Sequence, residues 1–122
     1  HREGGRMPGF GHPMHKPVDP RTVRIMTLAG ERGVAGRAVE FAGHLHAAAQ
    51  QTWRREMPMN VSMAIAAVTL DLDLPAGVVK AIPILARTAG LLAHLAEERT
   101  NPIGFRLAAA GENAIGYTGA EP

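Results

Sequence analysis

Between residues 35 and 54 the apolar positions Val39, Ala42, Leu45, Ala49 and Trp53 recur at steps of three or four. That period is one face of an α-helix, and strand-like alternation is weak everywhere along the 122 residues. The apolar mass is Ala, Leu, Val, Ile and Met with only 4% aromatics, which suits closely packed helices. At 46% hydrophobic the chain has enough apolar material for a core, and its length is that of one domain. The expected class is all-α and multihelical, with an irregular N-terminal loop.

Glycine and proline punctuate the helices. Residues 1–21 are rich in both and should be irregular. Asp19-Pro20 is a helix start, Asp as the N-cap and Pro in the first helical position. A first helix over about 20–31 should bury Val23, Met26 and Leu28 and stop at Arg32-Gly33. A second over about 35–54 should end at Met57-Pro58. Asn60 caps a third over about 61–72, with Met63, Ile65, Val68 and Leu72 mostly inside and Asp71 and Asp73 at its exposed end. That helix is apolar nearly all round, which predicts burial on several sides. Asp73-Leu-Pro75 opens a fourth over about 75–98, which Pro83 should kink or split. Gly90 and Ala93 would let another helix approach it closely. Residues 100–122 read as a loose tail apart from a short alanine-rich turn near 106–112, so the division is a helical domain over 1–100 and a tail over 101–122.

Composition narrows the function. Cysteine is absent, so neither disulfides nor thiolate chemistry is available, which fits the cytoplasm. The net charge of +2 is interspersed with Glu and Asp rather than massed on a face, and aromatics are scattered, so no nucleic-acid partner is expected. No apolar run approaching a membrane span and no signal peptide are read, so no membrane partner is expected. The first residue is His1 rather than Met, as in a fragment or a trimmed protein.

The chemistry concentrates in Met7–Arg21. His12, Lys16 and Arg21 can be placed there around an anionic ligand, and Gly9 and Gly11 let backbone N–H groups approach it. No Gly-Lys-Ser/Thr follows, so the loop is not a Walker loop. His12 and His15 could suggest a metal, but Pro13 and Pro17 exclude a helix and no carboxylate or cysteine adjoins them; no metal is assigned. His44 and His46, two apart on a helix, read as surface residues, and His94 as a hydrogen-bonded core histidine. Arg87 lies among Ile84, Leu85, Ala86, Ala89 and Leu91. A buried guanidinium needs an anionic partner, either a structural Asp or Glu or a substrate carboxylate.

Three motifs carry a family resemblance. Pro8-Gly-Phe-Gly-His12 is followed by Asp19-Pro-Arg21; Met57-Pro-Met-Asn-Val61 opens a helix; and Ile84-Leu-Ala-Arg-Thr-Ala-Gly-Leu-Leu-Ala-His94 carries an Arg-x-x-Gly-x-x-Ala-His pattern. Over about residues 6–100 the chain resembles the small domain of the citrate synthase family, which includes citryl-CoA lyases and the lyase module of ATP-citrate lyase. The resemblance implies a citrate synthase-like small domain whose tail packs on a large domain upstream. It implies that His12 hydrogen-bonds an oxygen of an oxaloacetate- or citrate-like ligand while Arg21 and Arg87 clamp its carboxylates, a geometry guanidinium suits. Met7, Pro8, Gly9, Phe10 and Gly11 would contact the adenine end of coenzyme A through backbone groups, and Lys16 a CoA phosphate. No tightly bound cofactor is implied; the CoA thioester is a substrate, and a homodimer is the implied assembly.

The chain also departs from the family pattern. An Asp that moves the acetyl-CoA methyl proton normally follows Asn-Val; here Ser62 stands there. A serine hydroxyl cannot act as a carboxylate base near neutral pH without an activating partner. The family's upstream histidine and large helical domain are not in this segment, so it is expected to be inactive alone. The family's Arg-Pro near the end has no clear match: Arg106 can stand in for its Arg, with Arg99 as competitor. With Asn101-Pro-Ile-Gly104, the Ser62 departure implies a citryl-CoA lyase type, making or breaking a carbon–carbon bond between acetyl-CoA and a keto acid. The alternative is a non-catalytic relative that binds CoA and carboxylate.

Overall fold

A computed structural model describes residues 7–116 and 118–120. The irregular start expected over 1–6, Tyr117 and the last two tail positions lie outside the described residues. Five α-helices and one short 3-10 turn form the described residues, as the all-α expectation requires. They fall into two compact units, one up to Ile82 and one from Pro83.

In the first unit, α1 (Pro20–Glu31) and α2 (Arg37–Trp53) both pack on α3 (Val61–Asp71). The close contacts are made by small residues: Ala29, Ala42, Ala49, Ala64 and Ala67 are all buried. Side chains this short let helix backbones approach. Around Ala42, Met59 and Ala67 pack Phe10, Met26, Ala38, Val39 and Met63. The expected apolar face of α2 is present, with Ala42 and Ala49 buried and Val39, Leu45 and Trp53 half-buried. In α3 the expected Met63, Ile65 and Val68 are half-buried, whereas Leu72, just past the helix end, is exposed. Val23 is also exposed, contrary to expectation. Thr22, Met26 and Ala29 share the inward face of α1, and Val23 lies about 100° round from it. Thr22 earns its buried position by donating from Oγ1 to the Met59 carbonyl at 3.0 Å.

Helix ends follow local rules with one exception. Asp19 caps α1 by accepting from the Arg21 N–H, and Gly33 closes it at φ 66. Asn60 caps α3, accepting from Ser62 and Met63. α2 stops at Trp53, short of Met57-Pro58, because Arg54 adopts the left-handed conformation at φ 49. The exception is Asp71, expected at a solvent-facing end. Its carboxylate accepts from the N–H groups of Gly36, Ala38 and Val39 at 2.7, 2.8 and 2.9 Å, and so caps α2 from the end of α3. Gly36 makes room for it, since a Cβ there would lie 2.9 Å from Oδ1.

The expected fourth helix is split, but at Val79–Lys80 rather than at Pro83. A 3-10 turn spans Ala76–Val78 and α4 spans Ala81–Glu98, which leaves Pro83 in a first turn where its missing N–H breaks no helical bond. The tail is not loose over its first half: α5 covers Gly104–Ala114. Glu98 starts it by accepting from the N–H groups of Ile103 and Gly104. These donations hold its carboxyl below the usual carboxylate range, against a smaller upward push from burial. One expectation about length is corrected: Ala76–Glu98, 23 residues, is long and apolar enough to cross a membrane by length and composition.

Candidate functional site

The site is built around a short antiparallel contact. Phe10 pairs with Met59; the Gly11 N–H donates to the Pro58 carbonyl at 2.8 Å and the Asn60 N–H to the Gly9 carbonyl at 3.0 Å. Asn60 adds a donation from Nδ2 to the Gly11 carbonyl at 3.2 Å while its Oδ1 caps α3. One residue thus fastens the glycine loop and starts a helix. Gly9 is held at φ 87 against the Met63 side chain, which a Cβ would strike. Phe10 stacks on His46, ring centroids 5.7 Å apart. Nε2 of His46 bonds the Met57 carbonyl at 2.7 Å, so this histidine is not the surface residue expected from its spacing to His44. It shares the α2 face of Ala42 and Ala49, three and four residues away, which is the pattern that reveals it.

His12 follows this loop. Its Nδ1 accepts from the N–H groups of Met14 and His15 at 3.1 and 3.0 Å. That nitrogen therefore carries no proton, and Nε2 keeps the N–H as a donor. The His15 ring lies beside it at 4.4 Å. Gly11, His12, Lys16, Pro17 and residues 55–58 line a cavity of about 580 Å³. A second, more apolar cavity of about 610 Å³ lies between α1 and α2, sharing Pro17, Glu56 and Pro58 with the first.

Asp19 and Arg21 form a neighbouring cluster. Nε and Nη2 of Arg21 donate to Oδ1 and Oδ2 of Asp19 at 3.0 and 2.9 Å. Oδ2 also accepts the Val61 N–H at 3.1 Å. Arg21 holds the Asp19 carboxyl well below the usual range; burial opposes this, and the N–H groups of Arg21 and Val61 add to it. The same pairing raises Arg21. The Arg21 side chain is 46% exposed, so one edge of its guanidinium is committed and the other is open to solvent. Ser62 is exposed beside this cluster, its N–H bonded to Asn60 and its hydroxyl without a hydrogen-bond partner among the described residues.

Gly11, His12 and Lys16 therefore meet at one cavity, whereas Arg21 does not line it. Arg87 and Arg106 belong to the second unit, and both are exposed. Arg87 is thus not the buried guanidinium its apolar neighbours suggested: Ile84, Leu85 and Leu91 are exposed with it. His94 is likewise no core residue; its side chain is 81% exposed, 4.0 Å from Glu97. Sequence reasoning passed over Arg55 and Glu56 because nothing in their spacing joins them to residues 11–17. It is the Gly11–Pro58 pairing that does so.

The profile of the citrate synthase C-terminal domain matches residues 1–107. The chain is 36% identical over 102 residues to proteins named "Putative citrate synthase 2" from Mycobacterium tuberculosis and Mycobacterium bovis. That match covers 79% of this chain and spans 26% of those relatives' length. A solved citryl-CoA lyase from Hydrogenobacter thermophilus superposes with a TM-score of 0.77 at 32% identity, over 99% of this chain and 47% of that one.

Proposed function

Because the chain belongs to the citrate synthase family, as its C-terminal domain, we propose that it serves an enzyme acting on an acyl-CoA and a di- or tricarboxylate. The proposed reaction is the making or breaking of a carbon–carbon bond between acetyl-CoA and a keto acid such as oxaloacetate. The citryl-CoA lyase type is supported by the structural likeness to such a lyase and by Ser62 at the position of the family's Asp.

The observation that carries this reading is His12. With Nδ1 occupied by two backbone N–H groups, its Nε2–H is left as a fixed donor beside a cavity that Lys16 also lines. In the proposed mechanism His12 donates to the carbonyl or hydroxyl oxygen of the keto acid or its adduct. That stabilises charge developing on oxygen as the bond forms or breaks. Arg21 offers its uncommitted edge to a carboxylate, and by the family pattern Arg87 and Arg106 are proposed as carboxylate ligands. Met7–Gly11 and Lys16 are assigned to the CoA thioester, which is substrate rather than resident cofactor.

The exposed apolar residues of α4 and α5, among them Leu85, Leu92, Leu95, Phe105 and Leu107, form the surface proposed for the large domain and a homodimer partner. A bilayer suits that surface less well. Arg87 stands at the middle of Ala76–Glu98, where a charge costs about 2.5–3.5 kcal/mol. We assign the protein to the cytoplasm, which its lack of cysteine supports.

The test is turnover of citryl-CoA, and of oxaloacetate with acetyl-CoA, by this domain joined to the family's large domain, with calorimetric binding of CoA and citrate. Cleavage of citryl-CoA is expected; the absence of both turnover and binding removes the reading. A second reading, a relative that binds without catalysis, is favoured by the unpartnered Ser62 hydroxyl. Binding without turnover, and condensation gained in Ser62→Asp, would establish it.

A further inference from the structure

We infer that His46 is a positioning residue for His12; this rests on the donation from His12 to a substrate oxygen proposed above. No motif of the sequence includes His46, and its spacing to His44 marks a surface residue. The fold sets it across both strands of the short antiparallel contact. On one strand its ring stacks on Phe10, with centroids 5.7 Å apart and planes 22° from parallel. On the other, its Nε2 bonds the Met57 carbonyl at 2.7 Å. A carbonyl only accepts, so Nε2 is the nitrogen that carries the proton and donates.

Both contacts bear on the end of the loop that leads into His12. Phe10 precedes Gly11, and Met57 precedes Pro58, whose carbonyl accepts the Gly11 N–H at 2.8 Å. Met57 and Pro58 are buried. A Met57 carbonyl deprived of the His46 donor must shift or stay unsatisfied, and the Pro58 carbonyl shifts with it. The start of the loop is held separately, because the Gly9 carbonyl takes the Asn60 N–H at 3.0 Å. Loss of His46 therefore displaces Gly11 and His12 more than Gly9. The His12 ring is tied through Nδ1 to the N–H groups of Met14 and His15, so it moves with the backbone and takes its Nε2–H donor along. His46 also lines the more apolar cavity between α1 and α2. With open space on that side, its two contacts hold the ring in place rather than a surrounding wall.

The experiment compares wild type, His46→Gln, His46→Asn and, as a control destabilised elsewhere in the first unit, Asp71→Ala. The Gln amide can carry an N–H to the reach of Nε2, whereas the Asn amide is one methylene too short. Two readouts are taken: citryl-CoA cleavage by this domain joined to the family's large domain, and amide NMR of the chain. His46→Asn is expected to lower kcat about tenfold with KM changed less than about threefold. His46→Gln should keep kcat within about threefold of wild type, and Asp71→Ala should leave it unchanged. The amide signals of Met14 and His15, the donors to His12, should shift in His46→Asn and hold in Asp71→Ala. Unmoved signals in His46→Asn overturn the inference, as does an equal kcat in His46→Asn and wild type. A loss in Asp71→Ala as large as that in His46→Asn also overturns it, since stability alone would then explain both. Shifted signals in a wild-type background that does not cleave citryl-CoA overturn the lyase reading and leave the hold of His46 on His12 standing.

Discussion

Asp19 and Val61 lie 42 positions apart, yet the Val61 N–H donates to Asp19 Oδ2 at 3.1 Å, onto a carboxylate with no solvent exposure. The same oxygen takes Nη2 of Arg21, and Oδ1 takes the Arg21 N–H and Nε. One side chain therefore caps α1, orients a guanidinium and satisfies a donor at the start of α3. Asp19→Ala removes all of these acceptors and should destabilise the first unit by about 2–4 kcal/mol, read as a lower urea midpoint. Asp19→Asn, which keeps one acceptor oxygen, should lose less.

The acid response follows from the same carboxylate. Its folded-state pKa is lowered by Arg21, so the stabilisation is complete above the unfolded value of about 4 and is lost as pH falls below it. The urea midpoint of the wild type should drop as pH is taken from about 5 towards 2, and the drop should be shallower in Asp19→Asn. Equal slopes would remove Asp19 as the source.

Asp71→Ala should uncap α2. Burial pushes this carboxyl up, but donation from Ala38, Val39 and Gly36 outweighs it, so the group is ionised and bonded at neutral pH. Hydrogen exchange at Ala38 and Val39 should quicken in the variant while amides late in α2 change little. Gly36→Ala should act in the same direction by displacing the carboxylate.

Gly9→Ala imposes two separable penalties. At φ 87 a Cβ is strained, by about 1–2 kcal/mol, and it strikes the Met63 side chain. Met63→Ala in the same chain should relieve the collision and leave the backbone penalty. The double variant should therefore bind CoA better than Gly9→Ala alone, as calorimetry would measure.

His12→Asn separates the two nitrogens. The Asn oxygen can accept from backbone N–H groups two or three residues on, as Nδ1 does, but its shorter amide does not carry an N–H out to the position of the Nε2–H donor. Its melting temperature should stay near wild type while citrate affinity falls about tenfold. His12→Ala should lose both.

Much of this was legible because it is local. Asp19-Pro20 and Gly33 mark both ends of α1, and Asn60 marks the start of α3, since caps are chosen by neighbours within a few residues. His12 and Lys16 were legible as polar neighbours beside a glycine loop. What escaped depends on partners distant in the chain. No spacing rule links Asp71 to Gly36, or Arg55 to Lys16, and Thr22 displaced Val23 from the core only because the Met59 carbonyl arrives beside it. α5 escaped because its glycines and short alanine run look weak, and its start depends on Glu98 folding forward. Arg87 and His94 were misplaced because apolar neighbours in a helix were taken as a sign of burial, whereas here those neighbours are exposed too.

Asn60 holds the carbonyls of Gly9 and Gly11 with its two nitrogens while its side-chain oxygen caps the helix that begins at Val61. Lifting the loop would therefore fray that helix, and tightening the loop would firm it. A molecule that settles on residues 9–11 shares a free-energy ledger with the conformation at Ser62, and reciprocity requires that a change made at Ser62 be felt as affinity at the glycines.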